Sequence, residues 1–73
     1  MAYLSSLEAG RRYRLRRDFE VRRLETGTMV ALLQEGSIVR IREVDTEAGR
    51  VYVEGCDVPV PMDALARAVD PVA

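Results

Sequence analysis

The chain of 73 residues contains no histidine, no tryptophan and no lysine, and it has a single cysteine. Without histidine there is no zinc set of the usual kind, no serine–histidine or cysteine–histidine pair and no ordinary haem ligand, so self-contained hydrolytic or redox catalysis is not expected. The lone thiol, Cys56, has no partner for an intramolecular disulfide, which agrees with a reducing compartment. Its place between Gly55 and Asp57 sets a carboxylate beside it, which disfavours a reactive thiolate. Aromatic residues are scarce: Tyr3, Tyr13, Phe19 and Tyr52 are the full set. That is too few to line a groove for proline-rich peptides or to wall a methyl-lysine cage. No apolar run approaches the roughly 18 residues of a membrane span. The opening MAYLSSLEAGRR lacks the basic flank and apolar stretch of a secretory signal. The expectation is a cytoplasmic protein with no membrane partner, and the length suits one domain over residues 1–73 with its core over about 10–70.

The five glycines are spread along the chain as turn residues and form no phosphate-cradling motif. Nothing matches the spaced oxygen ligands of a calcium loop. Glu43, Asp45 and Glu47 lie close together, but at an expected hairpin tip, where solvated carboxylates are the ordinary outcome. No catalytic residue, metal or cofactor is expected.

What the chain does have is alternation. From Arg12 to Arg23 the order is RYRLRRDFEVRR, with Tyr13, Leu15, Phe19 and Val21 on odd positions and mostly charged residues between them. This is the period of a half-buried strand, interrupted once at Arg17, where a bend or bulge fits. Thr28 to Leu33 forms a second apolar run after the Thr26-Gly27 turn signal. In LLQEGSIVRIREVD, Gly36 turns the chain and Val39 and Ile41 then alternate with Arg40 and Arg42 as a strand. DTEAGR supplies a hairpin loop with Gly49 at its positive-φ position, and Val51 and Val53 point inward on the returning strand with Tyr52 outward. After the turn GCD, the prolines of VPVP confine that strand to an edge or make it short. Met62, Leu65, Ala66 and Val69 have helical spacing over barely two turns before Asp70-Pro71. Met29 and Met62 are expected as core or barrel-end filler, and the first few and last three residues as loose.

About five short antiparallel strands with tight turns and one late helical turn, 3₁₀ or α, make an all-β domain, most economically closed into a small barrel. The order resembles the Src-homology-3-like barrel superfamily, in which a Leu-x-x-Gly-x-x-Val diverging turn opens the second strand and a Val-Pro-x-x-x-Leu turn precedes the last. Leu33, Gly36 and Val39 fill the first pattern, and Val60, Pro61 and Leu65 fill the second. The resemblance implies the fold and leaves the function open, because this architecture carries many unrelated activities. The plasmid-encoded dihydrofolate reductases are small barrels of this class, but their Val-Gln-Ile-Tyr motif has no counterpart in VPVP at 58–61.

Charge is the remaining signal. Residues 1–23 carry seven arginines against three carboxylates, a local +4, while residues 24–73 carry four arginines against nine carboxylates, a local −5. The exclusive use of arginine reflects either a G+C-rich genome or a need for planar, bidentate donors. With Tyr13 and Leu15 inward, Arg12, Arg14 and Arg16 project from the opposite face and Arg22 continues the stripe. The plain alternative is that these arginines pair with Glu20, Glu25, Glu43 or Glu54 on neighbouring strands. The expected function is a non-catalytic binding module of a bacterial or phage setting that engages a protein partner or a second copy of itself. The surface expected for it is the arginine face, the loop around residues 22–28 and Tyr52. The alternative is nucleic-acid backbone binding through Arg12, Arg14, Arg16, Arg22 and Arg23.

Overall fold

A computed structural model of the chain describes residues 7–72; Tyr3, the opening residues and Ala73 lie outside the described residues. Among the described residues the elements are β1 (Arg12–Leu15), β2 (Phe19–Arg22), β3 (Met29–Leu33), β4 (Ile38–Asp45), β5 (Arg50–Val53), β6 (Val60–Pro61), the helix α1 (Met62–Ala66) and β7 (Val69–Pro71). Every pairing is antiparallel. Five strands form one sheet in the order β6-β5-β4-β1-β7, and β2 with β3 forms a separate two-stranded hairpin. The domain is therefore small and all-β with one short helix. Closure into a barrel is not seen: β6 and β7 are the two ends of the five-strand order, and the hairpin joins neither.

Alternation along the chain accounts for most of the core. Tyr13, Leu15 and Val21 are buried as their odd positions require, and Phe19 packs partly against them. The interruption at Arg17 is larger than a bulge. Leu15 exchanges its backbone groups with the segment after Gln34, its N–H donating to the Ser37 carbonyl and its carbonyl accepting from Gly36 N–H, both at 2.9 Å. The Arg16 N–H donates to the Ala68 carbonyl at 2.8 Å, after which the chain leaves the five-stranded sheet and starts the hairpin at Phe19. One alternating sequence thus supplies strands to two sheets.

β4 is the longest strand and is shared lengthwise. Its first part pairs with β1 through Arg14↔Ile38, Tyr13↔Val39 and Arg12↔Arg40. Its second part pairs with β5 from Ile41↔Val53 to Asp45↔Arg50, with a register shift between Ile41 and Glu43 that gives β4 an extra residue. Ile41, Val51 and Leu65 have no exposed surface, and Leu15, Val21, Val53 and Val60 are almost as deep. Burying side chains of this size stabilises by about 1.5–3 kcal/mol each relative to exposure. The one large polar group drawn into this core, the Tyr13 hydroxyl, accepts a hydrogen bond from Glu8 N–H at 2.9 Å.

Gly36 adopts φ +87°, a conformation that side-chain-bearing residues resist, at the turn where β3 separates from β4. The prolines act as expected on β6, which is two residues long and lies at the sheet edge. The C-terminal segment departs from the sequence reading. The helix is α and ends at Ala66, and Val69, expected on its apolar side, lies instead on β7 opposite Leu15. Pro71 sits opposite Tyr13 on this edge strand, where a missing donor costs little. The tail expected to be loose is held as far as Val72, whose N–H donates to the Arg12 carbonyl at 3.2 Å.

Candidate functional site

Two surfaces of different chemistry flank the core. The first is the β2–β3 hairpin. Val21 pairs with Ala31 and Phe19 with Leu33 on its inner side, whereas Glu20↔Leu32 and Arg22↔Met29 are exposed pairs. A register shift between Val21 and Arg22 leaves Val30 as the extra residue on β3. The hairpin turn is set locally: Gly27 at φ +74° donates to the Arg23 carbonyl at 2.8 Å, and Arg23 N–H donates to the Thr28 carbonyl at 2.9 Å. The result is an apolar exterior. Leu24, Met29, Val30 and Leu32 are each 43–48% exposed, and Ile38 is the one other large apolar residue so exposed among the described residues. Met29 is therefore not core filler, because the strand shift places it opposite Arg22; Met62 does pack against the core.

The second surface is the outward side of β1, β4 and β5. Arg12 and Arg14 project there from β1, Arg40 and Arg42 from β4, and Tyr52 from β5. Arg12 stands directly opposite Arg40, and Arg14 lies between Ile38 on one side and Asp70 on the other. Arg40 Nε is 3.7 Å from a Glu54 oxygen, and the Arg42 guanidinium carbon lies 5.7 Å from the centre of the Tyr52 ring. Among the described residues Arg12, Arg14 and Arg42 make no salt bridge.

The stripe expected of Arg12, Arg14, Arg16 and Arg22 is thus divided, and Arg23 lies apart from its first two members. Arg12 and Arg14 share a face. Arg16 lies in the bend, donates to the Arg67 carbonyl and sits 3.7 Å from Asp70. Arg22 is on the hairpin, held to Glu20 at 2.6 Å and to the Gly27 carbonyl at 2.7 Å. Arg23 is also on the hairpin and lines a cavity. Arg40 and Arg42 complete the sheet face; their alternation with Val39 and Ile41 assigned them outward, but their place beside Arg12 depends on cross-strand register.

The cavity, about 170 Å³, lies between the hairpin and the turn at 55–58 and is bordered by Arg23, Val30, Ala31, Cys56, Asp57 and Val58. Burial first, and the Asp57 carboxylate second, push the Cys56 thiol above its ordinary pKa of 9.0, so the residue stays protonated near neutrality. Among the described residues no three acidic or cysteine side chains converge to hold a metal ion, and no helix is long and apolar enough to cross a membrane. Compared with protein-family models, with curated proteins and with solved structures, the chain matches none. The functional reading therefore rests on its own surfaces.

Proposed function

We propose that the chain is a non-catalytic protein-binding module with a Src-homology-3-like, partly open barrel, and that the β2–β3 hairpin is its docking element. The fold reading is supported by connectivity: β4 serves β1 with its first part and β5 with its second, and β7 returns to pair with β1 after a short helix. The non-catalytic reading is supported by the absence of histidine and by a lone thiol held protonated. The single observation that carries the binding role is the placement of Leu24, Met29, Val30 and Leu32, four of the five large exposed apolar residues among the described residues, on one hairpin. Large apolar side chains left exposed together on one element of a small domain are a mark of a contact surface. Its charged margin of Glu20, Arg22 and Arg23 resembles the polar rim of an interface.

A photo-crosslinking residue at position 32, introduced in the native cell, is expected to trap a protein, either a partner or a second copy of the chain. The same residue at position 47, on the β4–β5 loop, is expected to trap none. Equal trapping at both positions, or at neither, contradicts the assignment.

A further inference from the structure

We infer that the outward face of the five-stranded sheet is a second, separate binding site, for single-stranded nucleic acid, built by Arg12, Arg14, Arg40 and Arg42 with Tyr52 as a stacking platform. The first reason is an electrostatic arrangement that the fold does not require. Like charges directly opposite on neighbouring strands are destabilising, yet Arg12 faces Arg40 in register. Of the carboxylates near this face, Glu54 is engaged by Arg40 at 3.7 Å and Asp70 by Arg16 at 3.7 Å, while Glu43, opposite Tyr52, makes no salt bridge among the described residues and is outnumbered by the arginines. Among the described residues Arg12 and Arg14 make no salt bridge, and Arg42 faces the Tyr52 ring and no carboxylate.

The second reason is spacing. Outward positions on a strand recur every two residues, or about 6.8 Å, and adjacent strands are about 4.8 Å apart. Arg12 and Arg14 on β1, with Arg40 opposite Arg12 on β4, therefore present a cluster of cations that suits a chain of phosphates better than one isolated anion, and Arg42, at the register shift of β4, extends it toward Tyr52. The third reason is Tyr52, whose ring lies within cation–π reach of the Arg42 guanidinium, 5.7 Å from its carbon. A planar cation–aromatic pair at the end of a basic strip is what an unpaired base stacks on, and duplex DNA keeps its bases from such a platform. The overall charge of −1 does not oppose this, because at about 0.1 M salt fields are screened beyond roughly 10 Å and the local cluster decides.

Three or four phosphates held in this way release counterions with a logarithmic salt slope of about −2 to −3 for a single strand. Raising salt from about 50 to 200 mM is then expected to weaken binding roughly 20- to 50-fold. The test is a titration of fluorescent single-stranded and duplex oligonucleotides at both salt concentrations, with a synthetic polyglutamate peptide as the rival polyanion. R12A/R14A and Y52A are expected to lose most single-strand binding. R12A/R14A should do so with a melting temperature unchanged or raised, since it removes the Arg12–Arg40 repulsion. R22A/R23A, on the hairpin, is expected to bind as the parent chain does. Absence of binding at the lower salt, equal preference for duplex, loss in R22A/R23A in place of R12A/R14A, or binding of polyglutamate but not of oligonucleotide each overturns the inference. None of these outcomes bears on crosslinking at the hairpin, so the two sites stand or fall separately.

Discussion

The sheet and the hairpin are made from the same kind of alternating strand, yet they spend their outward faces differently. On β1 and β4 the residues between the buried ones are largely arginine, whereas on β3 they include Leu32, backed by Met29 and Val30. The inner faces differ as well. β1, β4 and β5 each bury two residues, while β3 buries none fully and reaches the core only with Ala31 and Leu33. A strand that contributes little to the core and exposes apolar surface is under weak structural constraint, and that freedom is what a contact surface needs. The contrast teaches that arginine predominates on the outward face of β1 and β4, with Ile38 among it, and exposed apolar side chains on the hairpin, with Glu20 and Arg22 among them.

The largest test of this contrast removes a core residue from the sheet. Ile41→Ala is expected to cost about 2–5 kcal/mol in denaturant unfolding, since a fully buried side chain leaves a cavity. Leu32→Ser on the hairpin is expected to change stability by no more than about 0.5 kcal/mol, as for an exposed position without special partners. Similar losses at both sites would erase the distinction.

The joint between the two regions comes next. Gly36 holds φ +87° and its N–H donates to the Leu15 carbonyl, while a side chain built there would meet nothing within 4 Å. The cost of Gly36→Ala is therefore conformational strain alone, expected at about 1–2 kcal/mol in the same assay. A neutral result would mean that the turn relaxes to another backbone conformation.

Smaller effects sharpen the contrast on the sheet side. Arg12→Thr relieves repulsion with Arg40 and is expected to stabilise by about 0.2–1 kcal/mol, read as a higher unfolding midpoint. Cys56, under the hairpin, reports through pH. Its folded pKa is raised above 9.0, so the folded state retains a proton that the unfolded chain gives up. Its stabilising contribution is complete below that value and is lost as pH rises through the folded pKa. The parent chain is expected to lose more stability than Cys56→Ser over that alkaline range, and parallel pH profiles would place the thiol in solvent.

Much of the fold was legible in the residues. Val39, Ile41, Val51 and Val53 are inward as their alternation requires, and Gly36 and Gly49 take positive φ at the turns where sequence placed them. The failures have a common cause. Val69 has helical spacing from Leu65, but it lies on a strand because β1 offers a free edge opposite Leu15, and that edge is not visible locally. Met29 looked like core by composition and is exposed because β3 shifts register at Val30. The arginine stripe is broken because the bend after Leu15 sends Arg22 to another sheet, and Arg40 joins Arg12 through a pairing of residues 28 apart in sequence. Period is written along the chain; register between distant strands is not.

The account depends most on the exterior of the hairpin being apolar for contact and not for folding. The direct measurement is the Leu24→Ser/Leu32→Ser double variant, followed by denaturant unfolding and by crosslinking from a probe at position 29. The account predicts an unfolding free energy within about 1 kcal/mol of the parent chain's and loss of the crosslinked protein. Marked destabilisation, or crosslinking that persists unchanged in a folded variant, would contradict it.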